Sequence, residues 1–418
     1  MKLAVVGAGS TYTPEVVDGL VRLRELLTVD DLALCDPAAE RLHVVGGLAR
    51  RMLARAGHPA HVVETASLDE AVEGADAVLI QIRVGGQAAR MVDESVPLAC
   101  GCLGQETTGF GGLAKALRTV PVVLEIADRV RRRTPDAWIV DFTNPVGVVT
   151  KALLDEGHRA VGLCSAAVVF QKHFARVLDV EPARIELDHL GLNHLTWEVG
   201  VRLDGGDVLP ELVGKHVERV APATGLPAEL VRRLGVVPSY YLHYFYEHDA
   251  VVEHQRASKS RAAEVAEIEA ELLHLYADES LAEKPELLQR RGGAGYSEAA
   301  VELLASLLGS AGEGRHVVNL RNRGALPFLP DDAVVEVPAR VAPGGVEPVE
   351  LPQLDAVARG LVVHVSAYED LALDAALRGG RERVFRALLA HPLIGQHAVA
   401  DVLTDRLIDA NRDYLTWT

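Results

Sequence analysis

Cysteine and methionine are scarce in this chain of 418 residues, four and three respectively, and aromatic side chains make up only 5%. Cys35, Cys100, Cys102 and Cys164 are too few for a disulfide scaffold and fit a reducing compartment, where a cysteine with a task works as a thiolate. Positive charge is also short: 42 basic against 59 acidic residues leave a net charge of −17. That field repels polyphosphate backbones and anionic lipids, which excludes nucleic acid and membrane surfaces as expected partners. No uninterrupted apolar run approaches the roughly 18 residues a membrane helix needs, and the sequence opens on a strand-like Leu3-Ala4-Val5-Val6 instead of a signal peptide. A cytoplasmic location is expected. Internal repeats, low-complexity segments and long linkers are absent too. What is present is an ordinary globular balance, 49% hydrophobic and 24% charged, enough for roughly two to three domains.

Residues 1–165 alternate short apolar runs with amphipathic stretches, the pattern of a parallel sheet covered by helices on both faces. Expected strands are Lys2–Val6, Leu32–Cys35, Ala77–Arg83, Ala137–Phe142 and Ala160–Leu163, and Leu113–Val130 carries helical periodicity. This reads as an α/β, doubly wound, Rossmann-type domain over residues 1–185. Beyond it the regular strand after each helix is missing. Val265, Ile268, Leu272 and Leu275 mark one face of an expected helix, Ala262–Tyr276, while His316–Val341, broken by Gly324, Pro327 and Pro330, reads as short strands and turns. Residues 186–418 are expected to form an α+β domain packed tightly on the first and carrying substrate, metal and oligomer contacts.

Gly7-Ala8-Gly9-Ser10-Thr11-Tyr12-Thr13-Pro14-Glu15 follows the first strand. In such a loop Gly7 and Gly9 let backbone amides and the positive end of the next helix hold a pyrophosphate. Tyr12 stands where the third glycine of the fingerprint belongs. Thr13 is a favourable N-cap and Pro14 suits the first helical position, so the helix is expected to start several residues after the glycines. The longer loop would let Ser10, Thr11 and Tyr12 project between a cofactor and a second polar ligand. Asp36, ending the second strand, suits two ribose hydroxyls and disfavours a 2′-phosphate, which points to NAD over NADP. The plainer alternative is a glycine turn with a capping aspartate.

Cys164 falls at the end of an expected strand, at the sheet edge where α/β proteins place their sites, and His194 follows in Gly191-Leu192-Asn193-His194. Their separation is too large for a local ligand spacing such as CxxC, and a lone strand cysteine is more often packing. The pair gains weight from Arg83, Arg90 and Asn144, polar residues at or near strand ends in the same half. Pro238-Ser239-Tyr240-Tyr241-Leu242-His243-Tyr244-Phe245-Tyr246 is crowded with aromatic and histidine residues. Spacing does not show whether Tyr240 or Tyr241 does chemistry, and so dense a run is also a packing pattern. Cys100 and Cys102 read as structural.

Taken in order, these segments resemble glycoside hydrolase family 4, and within it the 6-phospho-β-glucosidases. The matching text is the loop Gly7–Glu15, Gln81-Ile82-Arg83-Val84-Gly85-Gly86, Gln105-Glu106-Thr107-Thr108-Gly109, Phe142-Thr143-Asn144-Pro145 and Gly162-Leu163-Cys164. It continues with Gly191-Leu192-Asn193-His194-Leu195 and Arg291-Gly292-Gly293-Ala294-Gly295-Tyr296-Ser297.

The resemblance implies an NAD-dependent route, an exception to two-carboxylate glycoside hydrolysis. In the family, NAD takes hydride from sugar C3, a base removes the C2 proton, the aglycone leaves C1, water adds, and the hydride returns. A divalent cation, with manganese the expected ion, acts as Lewis acid on the C2 and C3 oxygens. By the same resemblance Cys164 and His194 are its protein ligands, Tyr241 is the C2 base with Tyr240 the alternative, and Glu106 accepts a hydrogen bond from the phenol. Ser10, Thr11, Arg83 and Asn144 join Gly7, Gly9 and Asp36 at the cofactor. Arg90, Asn144, Ser165 and Asn193 contact the sugar, and Arg261, in a basic group with Arg256 and Lys259, reads its 6-phosphate with a forked guanidinium. An exposed surface arginine is its plainer reading. A phosphorylated β-glucoside is the implied partner and a homodimer or homotetramer the implied assembly. An accessible thiolate ligand is also expected to oxidise readily.

One departure stands out. After the cysteine, β-type members carry Asn and α-type members Asp; this sequence has Ser165. Serine does not protonate a leaving group at neutral pH, which argues against α-glycosidase chemistry, and it removes an amide from the sugar's surroundings. Ala166-Ala167 departs from the family's bulkier residues as well. Two other readings stay open: an NAD-dependent dehydrogenase of the 2-hydroxy-acid type, and a catalytically weak NAD and phosphosugar sensor.

Overall fold

Each apolar run of the first half becomes a strand of one parallel layer. The computed structural model describes residues 1–292 and 295–418; Gly293 and Ala294, inside the Arg291–Ser297 motif, lie outside the described residues. The strands are β1 (Lys2–Val6), β2 (Asp31–Cys35), β3 (His61–Thr65), β4 (Ala77–Ile80), β5 (Trp138–Asp141) and β6 (Ala160–Gly162). They lie in the order 3-2-1-4-5-6, all parallel, which is the Rossmann order, with its crevice where the order reverses between β1 and β4. Leu3, Ala4, Val5, Val78 and Leu79 are fully buried, as continuous apolar runs are in a sheet covered on both faces. Each buried Val or Leu contributes about 1.5–3 kcal/mol of transfer free energy. The expected strands Ala77–Arg83 and Ala137–Phe142 stop earlier, at Ile80 and Asp141, because the chain leaves the sheet there to build the crevice loops. β3 carries no apolar run that would betray it: it is the outermost strand, and its residues are exposed or only half-buried.

The second half adds β7 (Ile185–Leu192), β8 (Leu195–Leu203), β9 (Gly206–Asp207), β10 (Val237–Pro238), β11 (Gly314–Arg321), β12 (Val334–Ala342) and β13 (Gly345–Pro348). β11 pairs with β6 at a single register point, Asn319 opposite Gly162, and β12 pairs with β7 at Glu336 opposite Gly191. Among the described residues all thirteen strands therefore belong to one sheet, with the main path β10-β8-β7-β12-β11-β6-β5-β4-β1-β2-β3. The junction needs a residue without a side chain: a Cβ at Gly162 would stand 2.1 Å from Thr150 Oγ1 and 2.9 Å from Asn319 Cβ.

Two helices frame the site. Gly109–Arg133 spans the expected Leu113–Val130 and buries Phe110, Leu113, Leu117 and Val120. It also buries two cations, Lys115 and Arg118, the latter held by both oxygens of Asp93 at 3.0 and 2.6 Å. Arg261–Tyr276 begins one residue before the expected Ala262, where Ser260 caps it by accepting the Ala263 N–H at 3.2 Å. Its apolar face, Val265, Ile268 and Leu272, packs back against helices Ala39–Arg55 and Gly86–Ser95 of the first half. No helix among the described residues is long and apolar enough to cross a membrane.

Candidate active site

The loop after β1 turns on Gly7, whose φ is +87°. A Cβ there would stand 2.7 Å from the Gln81 carbonyl, so only glycine fits. Asp36 braces the loop from the end of β2, accepting the Gly9 N–H at 3.0 Å and the Ala38 N–H at 2.9 Å. Two expectations for this segment fail. Tyr12, not Thr13, takes the N-cap position; Thr13 opens the helix and turns its hydroxyl back to the Ala8 carbonyl at 2.8 Å while accepting from Gln81 Nε2 at 2.8 Å. Nor do Thr11 and Tyr12 project: Thr11 is fully buried and Tyr12 nearly so, because the Tyr276 hydroxyl pulls in the Thr11 carbonyl at 2.7 Å. Ser10 keeps partial exposure, its hydroxyl accepting the Tyr12 N–H at 3.2 Å. A carboxylate that sequence reasoning missed, Glu269, ties this region to the second half by receiving Arg41 at 3.3 Å, Gln87 at 3.1 Å and Arg291 at 2.9 Å.

Across the crevice, Leu192 pairs with Leu195, which makes Asn193-His194 a two-residue hairpin turn. His194 takes a left-handed backbone, φ +62°. Its ring lies flat on that of Tyr241, with centroids 3.7 Å apart and planes 11° from parallel, and its Nδ1 is 2.8 Å from Thr107 Oγ1. Burial pulls the imidazole down to about 4, so it is neutral near pH 7, the form that ligates metals. Cys164, just past β6, is 4% exposed. Burial and the charge of Glu336 push its thiol up, against hydrogen bonding from Ala166, Tyr296 and Asn193. The expected accessible thiolate is therefore a buried thiol, and ready oxidation does not follow.

The two tyrosines part company. Tyr241 belongs to this group, whereas Tyr240 is 50% exposed with its ring 4.2 Å from that of His243. Burial, then the neighbouring Cys164, Tyr244, Glu106 and Glu336, hold the Tyr241 phenol well above its usual range. Among the described residues the phenol makes no hydrogen bond to Glu106, contrary to expectation. That carboxylate is taken by Arg83, by Lys115 at 2.7 Å and by Arg90 at 3.4 Å. Burial alone would raise the Glu106 carboxyl; the three cations outweigh it and hold it well below the carboxylate range. Burial and Arg83 lower Lys115 to about 8 despite Glu106. Arg83, expected at the cofactor, thus directs its guanidinium to Glu106, and Arg90 is further anchored by Glu94 at 2.8 Å.

Beneath Cys164 and the hairpin lies a buried polar network on β7, β8, β11 and β12. Glu336 accepts Asn193 Nδ2 at 2.7 Å and Asn319 Nδ2 at 2.9 Å, and bonds His189 Nε2 at 3.0 Å, while His189 Nδ1 meets Glu198 at 2.6 Å. Asn144 precedes Pro145 across a cis peptide bond, and its Oδ1 is buried without a partner among the described residues. Ser165 occupies the N-cap of helix Ala166–Leu178 without a side-chain cap bond. Arg261 is not drawn into the group. Close to half of its side chain is exposed, and its guanidinium bonds Glu264 at 3.0 Å and the Arg290 and Arg291 carbonyls at 2.7 and 3.3 Å. Arg256 turns to the Leu98 carbonyl and Lys259 to Glu267, so the expected basic cluster is dispersed. Among the described residues no three His, Cys, Asp or Glu side chains converge as a metal cage.

Comparison with known proteins places this geometry. The model of family 4 glycosyl hydrolases matches residues 2–180, and that of the family's C-terminal domain matches residues 189–394. A Bacillus subtilis protein described as "Probable 6-phospho-beta-glucosidase" is 37% identical, covering 99% of this chain and 97% of its own. The 6-phospho-beta-glucosidase of Thermotoga maritima is 34% identical with 99% of both chains covered. The solved structure of that enzyme with NAD and glucose-6-phosphate superposes with a TM-score of 0.94 over 99% of each chain at 33% identity, and its form with manganese, NAD+ and glucose-6-phosphate with 0.92 over the same share. The chain belongs to glycosyl hydrolase family 4.

Proposed function

We propose that this protein hydrolyses 6-phospho-β-glucosides with the help of NAD and a divalent cation, manganese being the expected ion. The observation that carries the reading is the His194–Tyr241 stack, which sets an unprotonated imidazole against a buried phenol beside the thiol of Cys164. The residues fit the groups implied: a side-chain-free cradle at Gly7 and Gly9, an Asn144 Oδ1 without a partner among the described residues, and a nitrogen–sulfur pair of donors suited to a transition-metal ion. When bound, NAD supplies reversible hydride acceptance and the cation supplies Lewis acidity.

The chain's own residues do the rest. Gly7, Gly9, Ser10 and Asp36 hold the dinucleotide, and Cys164 and His194 hold the cation. Tyr241 takes the C2 proton on its phenolic oxygen; burial opposes the phenolate, and a divalent charge at the adjoining donors opposes that burial effect. Arg83, Lys115 and Arg90 keep Glu106 ionised, and the fixed anion in turn holds these cations in place around the sugar. Arg90, Asn144, Ser165 and Asn193 contact the sugar. Arg261, half-exposed with its guanidinium on Glu264 and the Arg290 and Arg291 carbonyls, keeps the 6-phosphate role that the resemblance implies.

The test is hydrolysis of p-nitrophenyl β-glucoside 6-phosphate and its unphosphorylated twin, each with NAD and Mn²⁺ together and singly omitted. Turnover of the phosphorylated sugar alone, only with both additions and with deuterium entering C2 in heavy water, is expected. NADH accumulating in excess over enzyme would make the protein a dehydrogenase instead. Binding of NAD and metal without turnover would make it a sensor.

A further inference from the structure

The loop before helix Gly109–Arg133 fixes the position of one proton. Gln105 Oε1 accepts the Thr107 N–H at 2.5 Å and the Thr108 N–H at 2.8 Å. A backbone N–H only donates, so the atom facing both is the amide oxygen and the Gln105 side chain has one allowed orientation. The same oxygen lies 2.9 Å from Thr107 Oγ1, and it can only accept there too, so the threonine hydroxyl gives it its single proton. Thr107 Oγ1 then meets His194 Nδ1, at 2.8 Å, as an acceptor. No carboxylate contacts either ring nitrogen of His194 among the described residues, and Tyr241 covers one face of the ring.

From this chain of donors and acceptors we infer that Gln105, acting through Thr107, fixes His194 in the Nδ1–H tautomer and leaves Nε2 as its metal-binding nitrogen. The inference rests on the proposed role of His194 as a cation ligand. The opposite tautomer is reached only if the Thr107 hydroxyl swings from Gln105 to Nδ1, which forfeits one buried hydrogen bond and leaves Gln105 Oε1 serving two donors instead of three. Gln105 and Thr107 are positioning residues: Thr107 touches the ligand and Gln105 acts through it. The motif Gln105-Glu106-Thr107-Thr108-Gly109 contains both, but they lie far from His194 in the chain, so no spacing connects them to it.

The experiment uses the full-length protein, free of metal, with ¹⁵N-labelled histidine rings and His194 assigned by the loss of its signals in His194→Gln. Nitrogen shifts near pH 7 are expected to show Nδ1 protonated and Nε2 bare. Thr107→Val is expected to mix the tautomers and weaken Mn²⁺ binding, measured by calorimetry, by about 10- to 100-fold. Thr107→Ser, which keeps the hydroxyl, restores both. Gln105→Glu keeps the acceptor and the tautomer, whereas Gln105→Met loosens it. A proton found on Nε2 in the wild type, or a Thr107→Val protein with native thermal stability and an unchanged tautomer, overturns the inference. If the tautomer is as stated but His194→Gln binds Mn²⁺ as tightly as the wild type, the metal assignment falls and the Gln105–Thr107–His194 relay stands.

Discussion

Replacing Glu106 by Gln removes the one anion shared by Arg83, Lys115 and Arg90 while keeping the side chain's shape. At 2.7 Å and an effective dielectric of 20, the lost attraction for Lys115 is about 6 kcal/mol. The lysine escapes most of this by giving up its proton. Its ammonium already titrates at about 8, so shedding the proton at pH 6.5 costs about 2 kcal/mol, and that caps its share. The two arginines have no such escape and contribute the cost of a broken buried pair, about 3 kcal/mol, at every pH. The expected deficit is therefore about 5 kcal/mol at pH 6.5 and about 3 kcal/mol at pH 8.5. The sign follows from proton counting: between these pH values the wild-type fold loses the Lys115 proton, while the variant fold has lost it already. Urea unfolding of both proteins at the two pH values reads the difference. A deficit that is the same at both, or one below about 1 kcal/mol, refutes the claim that Glu106 neutralises buried cations.

Gly7→Ala forces a methyl group to within 2.7 Å of the Gln81 carbonyl, and calorimetry should show NAD binding at least about tenfold weaker with the fold retained; unchanged affinity would remove this loop from the cofactor site. Burial would lower His189, but Glu198 and Glu336 raise it to about 10, above its ordinary 6.5. Its stabilising charge is fully present below pH 6.5 and is lost as pH climbs through about 10, so the Tm gap between wild type and His189→Gln should shrink over that window. A gap that is constant with pH means His189 is neutral. Asp93→Asn strands Arg118, 3% exposed, and should cost about 3–5 kcal/mol in urea unfolding; a loss under about 1 kcal/mol would mean Asn411 alone suffices as its partner.

The parts of the fold that were legible in sequence are those whose burial is two-sided. β1, β2, β4, β5 and β6 announce themselves as apolar runs, while β3, at the sheet's edge with residues such as His61 and Glu64, does not. The glycines of the phosphate loop were readable because their role is conformational and local. The start of its helix was not, because the Thr13 hydroxyl bonds backward to Ala8 instead of capping. Strand-end position singled out Cys164 and His194, but their pairing as ligands came only from family resemblance. β6 and β7, which lead into them, are separated in the sheet by β11 and β12, so no spacing rule joins them. Tyr240 and Tyr241 are indistinguishable in sequence and differ only in what tertiary packing covers. Glu336 did leave a trace: one acidic residue inside Val334-Val335-Glu336-Val337, in the buried part of its strand, has to be paired.

Because β11 is the neighbour that covers β6, the growing chain leaves the ribosome with a bare strand edge. β6 ends at Gly162, whose partner Asn319 is synthesised more than a hundred residues later. At about 5–20 residues per second the edge stands open for on the order of ten seconds or longer. An uncovered edge recruits strands from other chains. The newborn protein thus exposes, for that interval, an edge that the finished fold covers.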